Sequence, residues 1–189
     1  MKRLFISCLL AVVAIMSLVS SKVDVEPIPK HIPAVTPKKI TPKKKALPRK
    51  DLRAFLHKMA MRESDNTPTA VNKFGMMGKY QFHPSTVKVL GFKVEKEDFL
   101  ANPALQDKVM VAYLKANRRE LRPVIRQFAG KVVNGVRITE SGILAGAHFS
   151  GSTGVLAFFY PDRYIGKMSD ANGTHITEYM KLFAGYTLF

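Results

Sequence analysis

Apolar residues at Leu52, Phe55, Leu56 and Met59 fall at i, i+3, i+4 and i+7, one stripe of an amphipathic helix. The stripe predicts a helix that Asp51 caps and that ends near Glu63-Ser64. The pattern then stops. Residues 66–80 have no periodicity and contain Pro68, Gly75 and Gly78, which predicts a loop. Pro84 suits a helix start, with Val87 and Leu90 on its apolar side and Gly91 as its stop. Asn102-Pro103 opens another helix, in which Leu105, Val109, Ala112 and Tyr113 share a face. Asn134-Gly135 between Val132-Val133 and Val136 reads as a β-hairpin. Helix resumes over about Thr139 to His148, a glycine-rich turn is expected at Gly151–Gly154, and a last helix follows a Thr174 cap through Tyr179 to about Phe183. The fold class is all-α, or mainly α with a small β hairpin.

The first 50 residues follow other rules. Lys2 and Arg3 precede an apolar run from Leu4 to Val19, and Ser20-Ser21 close it, the layout of a signal peptide over residues 1–21. A membrane-spanning helix needs roughly 20 residues, so the short run favours cleavage over retention as an anchor. Cys8 is the only cysteine of the chain and comes before most of that run, which argues against a lipoprotein signal. A cleaved product holds no cysteine and depends on a packed core, with no disulfide or thiolate metal site. Residues 22–50 place Pro27, Pro29, Pro33, Pro37, Pro42 and Pro48 among lysines, a Pro/Lys-rich linker. In extended form, at about 3.1 Å per residue, it would reach something like 90 Å.

Charge sharpens the picture. The 189 residues carry a net +16. Residues 51–189, the expected folded domain, hold 19 Lys and Arg against 12 Asp and Glu. The linker is either a tether for an anionic membrane surface or polymer, or a soluble spacer. Nucleic acid is not an expected partner of an exported chain, and a monomer is expected.

The candidate chemistry sits in the stretch Glu63–Thr86. One acid ends a helix, a glycine-punctuated loop follows, and Gln81 stands between Tyr80 and Phe82. Glycoside cleavage needs a carboxyl that protonates the leaving oxygen. Desolvation raises a carboxyl's pKa and keeps the proton available, and Met59, Phe74, Met76, Met77 and Phe82 are the apolar side chains at hand. Two-acid glycosidases need a second carboxylate; Asp65 is too close in sequence, which leaves Glu140 and Asp162, neither of them in a recognisable motif. Each remaining candidate has two readings. Ser64 either bonds the acid or ends the helix. Gln81 offers a donor and an acceptor to an N-acetyl group, or ties down the loop. Of Tyr80 and Phe82, one is expected to face a sugar and the other the core. His57, His83, His148 and His175 lack metal-ligand spacing, and Asp170–Thr174 lacks the spaced acids of a calcium loop; neither a metal nor a cofactor is expected.

Glu63-Ser64, Ala70-Val71, Gly75, Gly78, Gln81-Phe82, Pro84 and Thr86, with Asn102-Pro103 and Tyr113-Leu114 after them, resemble the signature of soluble-type lytic transglycosylases. The box Gly78-Lys-Tyr-Gln-Phe82 resembles the variants of phage and cell-wall-remodelling enzymes. The likeness covers about residues 63–114. It implies a lysozyme-like helical domain that acts on peptidoglycan glycan strands. Glu63 would be the single acid and base, and a 1,6-anhydro sugar the product. It further implies that His148 stands where the family has Tyr and Phe149 where it has Asn, within Ala147–Gly151. His148 then either hydrogen-bonds near the acid and tunes it, or is a structural histidine. A late Tyr lines the groove in this family, and Tyr179 is the match. The altered motif keeps two alternatives open, a catalytically inactive peptidoglycan-binding or scaffolding module and a hydrolysing muramidase. A basic surface protein whose tail binds anionic polymers is a third, against which the ordered spacing argues.

Overall fold

A computed structural model of the chain describes residues 50–189. The expected signal peptide and nearly all of the linker lie outside the described residues. The described part is mostly helical: α1 (Leu52–Ser64), α2 (Pro84–Val89), α3 (Lys96–Ala101), α4 (Pro103–Glu120) and α5 (Arg122–Phe128) precede a two-stranded hairpin. The hairpin, β1 (Val132–Val133) and β2 (Val136–Arg137), leads into α6 (Glu140–Phe159) and α7 (Ile176–Leu182). This mainly helical architecture with one small hairpin agrees with the lysozyme-like reading.

Helix starts follow the caps written in the sequence. Asp51 accepts the Ala54 N–H at the head of α1, and Asn102 accepts the Leu105 N–H at the head of α4, with Pro103 at the first helical position. The hairpin pairs Val132 with Arg137 and Val133 with Val136. Its turn residues Asn134 and Gly135 both have positive φ, as a two-residue turn matching strand twist requires.

Two expectations need correction. Gly151–Gly154 is no turn: α6 runs to Phe159, and only Gly151 (φ 72°, ψ 170°) leaves helical geometry, so the helix kinks and continues. The α7 cap is His175, one residue after Thr174; its side chain accepts the Thr177 N–H while Glu178 accepts the His175 N–H. Two helices lacked a sequence signal. α3 is only 6 residues long, and α5 carries Pro123 in its first turn, where a missing N–H is harmless.

α6 is the central element. From Ser141 to Ala147 every residue is buried, and the helix packs on α4, α5 and α7. By length and composition α6 would pass for a membrane span, but most of it lies inside the domain. α7 approaches closely because of two glycines. A Cβ on Gly142 would lie 2.7 Å from the Met180 carbonyl oxygen, and one on Gly146 would lie 3.1 Å from Ile176 Cγ1. The core around α6 has two parts: Phe55, Met59, Tyr80, Phe99, Met110 and Leu114 anchor one, and Leu121, Ile138, Ile143, Val155 and Ile176 the other.

Candidate active site

The last turn of α1 sets the acid. Asp65 and Asn66 both adopt left-handed backbone, and the Asn66 N–H bonds back to the Ala60 carbonyl, which stops the helix one residue after Ser64. Ser64 Oγ donates to the Lys79 carbonyl at 3.0 Å, tying the helix end to the loop, and none of its hydrogen bonds reaches Glu63. These bonds end and anchor the helix. The Glu63 side chain is 17% exposed.

The Gln-aromatic box folds as a tight hairpin beneath this helix end. Met77 and Phe82 exchange both backbone hydrogen bonds at 2.9 Å, and Gln81, with φ 51°, closes the turn by donating its side-chain amide to the Gly78 carbonyl. Gln106, wholly buried on α4, holds the hairpin from behind. Its oxygen accepts the Lys79 N–H at 2.8 Å, and its nitrogen donates to the carbonyls of Pro68 and Phe99. Gly78 permits this contact, since a Cβ there would sit 2.7 Å from the Gln106 oxygen.

Tyr80 and Phe82 are both core residues, 1% and 3% exposed, so the expectation that one of them faces a sugar fails. Residues two positions apart share a face even in a flat strand, and here both rings pack into the core. The Tyr80 hydroxyl donates to Asp107, which also pairs with Lys79 Nζ at 2.8 Å. Burial, with the Asp107 hydrogen bond and charge, pushes the Tyr80 phenol far above its ordinary value. Phe82 meets Tyr113 and His148 edge-on, with centroids 5.4 and 5.5 Å away. Of the apolar residues expected around the acid, Met59 and Met77 are buried, Met76 is half-buried, and Phe74 is exposed.

α6 and α7 complete the cluster. His148 lies against the edges of Phe82 and Tyr113, and its Nε2 is 3.7 Å from Glu63 Oε1. Burial lowers the His148 pKa, against the opposing pull of the Glu63 charge and the Tyr80 backbone. The imidazole is therefore neutral at neutral pH. Tyr179 Oη donates to Glu63 Oε1 at 2.7 Å. Burial, then the charge and hydrogen bond of Glu63, raise the Tyr179 phenol so that it stays protonated.

Sequence reasoning did not assign three residues that shape this cluster. Tyr113 donates to the Ala147 carbonyl at 2.8 Å and steadies α6 beside His148; burial is the main reason its phenol is pushed up to about 12. Phe149 stacks on Tyr179 at 4.6 Å, and the Arg62 guanidinium lies 5.6 Å from the centre of the same Tyr179 ring. The Tyr-Leu pair in α4 was the available signal for Tyr113. Phe149 stood out only as the residue in place of the family's Asn, and Arg62 gave no signal, because the partner of both is contributed by the distant α7. A small cavity of about 250 Å³ adjoins the cluster, lined by Phe149, Ser150, Lys167, Ser169 and Asp170. Among the described residues, no group of three or more His, Cys, Asp or Glu is placed to hold a metal ion.

The second-acid candidates lie elsewhere. Glu140 pairs with Arg118 at 2.7 Å at the start of α6, and Asp162 is exposed beyond the end of that helix. The arrangement is one carboxyl, largely withdrawn from water, with one phenol fixing one of its oxygens and a neutral imidazole alongside.

A family model described as Transglycosylase SLT domain matches residues 41–129. The match takes in Glu63 and the box hairpin and stops before α6 and α7, which bring His148 and Tyr179. No curated protein and no solved structure matches the chain. The family match supports reading residues 41–129 as an SLT transglycosylase domain of the soluble lytic type within the lysozyme-like superfamily.

Proposed function

We propose that this protein is an exported lytic transglycosylase that cuts the bond between N-acetylmuramic acid and N-acetylglucosamine, with Glu63 as its only acid and base. The observation that carries the reading is the hydrogen bond from Tyr179 Oη to Glu63 Oε1 at 2.7 Å in a site where, among the described residues, no other carboxylate bonds to it. With Oε1 engaged, Oε2 is the oxygen left to hold a proton toward the glycosidic oxygen. Glu63 gives that proton as the bond from C1 to the leaving oxygen breaks. The 6-hydroxyl oxygen of the same muramic acid then bonds to C1 and returns its proton to the carboxylate. Acid and base are one group, and no water enters. Neutral His148 places no positive charge beside the carboxyl during this exchange. Export rests on the signal-like first 21 residues, which would deliver the domain to the periplasm or cell envelope.

The test is mass analysis of muropeptides released from purified sacculi by the wild-type protein and by Glu63→Gln. Anhydro-ended fragments lost in the variant, with a fall of about 10²- to 10⁴-fold, are expected. Reducing ends lost in the variant would make the protein a muramidase, with Asp170 in the adjoining cavity as the carboxylate to replace next. Sedimentation of both proteins with sacculi, with no release, would make it a binding module.

A further inference from the structure

A second concave site lies beside the start of α6. A cavity of about 750 Å³ is lined by Lys115, Arg118 and Arg119 of α4, Arg122 and Arg126 of α5, and the ring of Phe189. Their spacing, 115, 118, 119, 122 and 126, is one helical face carried across the break at Leu121, so the five cations form a continuous stripe. Glu140 is the one acid in the lining and is paired with Arg118. Among the described residues, Lys115, Arg119, Arg122 and Arg126 have no carboxylate within ion-pair distance. The Phe189 ring sits 5.3 Å from the Arg118 guanidinium and 6.0 Å from Lys115 Nζ, which gathers both heads at one wall. Glu140 and His148 are eight residues apart on α6, so the cavity is offset from Glu63's neighbourhood by about 12 Å of helix.

We propose that this cavity binds an oligophosphate, a chain of adjacent phosphate groups held by Arg119, Arg122, Arg126 and Lys115. Like charges gathered on one face repel one another, and such an arrangement is stabilised by an anion that several of them share. Guanidinium groups present planar donor pairs that match phosphate oxygens, and arginine outnumbers lysine four to one in the lining. A lone carboxylate would satisfy one of these forks, whereas a phosphate brings roughly −1.5 to −2 each and several in a small volume. The cavity has the size of a small-molecule site, about 300–1,000 Å³, and its concave shape favours a ligand that enters over a flat bilayer. This inference is independent of the reading of Glu63.

Isothermal titration calorimetry of the full chain with inorganic tripolyphosphate tests it. The basic linker also attracts anions, so Arg119→Gln/Arg122→Gln is compared with a charge-matched linker control, Lys43→Gln/Lys44→Gln. The pocket pair is expected to weaken tripolyphosphate binding at least about tenfold and the linker pair less than about twofold, with the salt dependence reduced only in the former. Both arginines are exposed, so circular dichroism and thermal stability should be retained; Lys115→Gln/Arg126→Gln serves as the second variant. Equal losses in the pocket and linker pairs would overturn the proposal as nonspecific charge attraction, and so would no binding by the wild type. Citrate binding as tightly as tripolyphosphate would overturn the phosphate preference. A pocket variant that loses anionic phosphatidylglycerol vesicles but keeps tripolyphosphate would replace the proposal with a membrane contact.

Discussion

Tyr179 Oη and Glu63 Oε1 meet at 2.7 Å although 116 positions separate them in the chain. One lies on the last helix and the other at the end of the first. The phenol stays protonated, so it is a permanent donor to whichever state the carboxyl adopts. Phe149 stacked on one face of the ring and the Arg62 guanidinium nearby hold it in place. Tyr179→Phe keeps the stacking and removes only the donor. A hydrogen bond to a charged group contributes about 1.5–3 kcal/mol, so muropeptide release should fall about 10- to 100-fold in kcat with a small change in KM. Wild-type kcat in the folded variant would show that the phenol does not orient the acid.

His148 makes stability depend on pH in a definite direction. Its pKa is lowered in the folded state because burial disfavours the charged ring. Between the folded and the unfolded value, near 6.5, the unfolded chain binds more protons than the native one. The contribution of the neutral ring is therefore complete above about pH 6.5 and is lost as pH falls through the lower folded value. Thermal melts should show Tm declining below about pH 6.5, and His148→Gln should flatten that part of the profile. Parallel profiles for the two proteins would assign the acid sensitivity to other groups.

The hairpin under the acid depends on a glycine and an amide. Gly78 has φ 76°, and a Cβ there would also meet the Gln106 oxygen at 2.7 Å. Gly78→Ala combines left-handed strain of about 1–2 kcal/mol with displacement of that oxygen from the Lys79 N–H. Gln106→Leu keeps the bulk but strands the Lys79 N–H and the Pro68 carbonyl, while the Phe99 carbonyl keeps the Asn102 N–H. Each orphaned group costs about 1–3 kcal/mol. Urea unfolding should place Gln106→Leu below Gly78→Ala in stability, and both below wild type. The reverse order would mean that the strain at Gly78 outweighs the lost hydrogen bonds.

Much of this was readable from residue order because much of it is local. The α1 stripe, the Asp51 and Asn102 caps and the Asn134-Gly135 turn are decided within a few residues, and they appear where expected. The kink at Gly151 was read as a turn because a glycine-rich run signals a break unless neighbours impose helix on both sides, and burial within α6 imposes it here. Glu63 was singled out by an ordered motif confined to residues 63–86. The burial of both Tyr80 and Phe82 did not follow, because it depends on Asp107, Tyr113 and His148, which arrive from α4 and α6. Arg62 was invisible for the same reason, and Phe149 was visible only as a departure from the family's Asn: each matters through Tyr179, and no spacing rule connects helices that distant in sequence.

Glycine spacing in α6 controls how closely α7 approaches, and with it the reach of Tyr179. A methyl group at Gly142 would lie 2.7 Å from the Met180 carbonyl oxygen, one residue beyond Tyr179. Alanine gains about 1 kcal/mol of helix propensity over glycine in a helix interior. Overpacking against rigid backbone costs about 1–3 kcal/mol, so the net change in stability for Gly142→Ala should be small and unfavourable. The effect on activity should be larger, because α7 can relieve the clash only by moving away, which lengthens the Tyr179–Glu63 hydrogen bond. Release of muropeptides should drop toward the level of Tyr179→Phe while urea unfolding changes little, and combining the two substitutions should add almost nothing to the activity loss. Independent, additive losses in the double variant would show that Gly142 acts on the domain in some way other than through Tyr179.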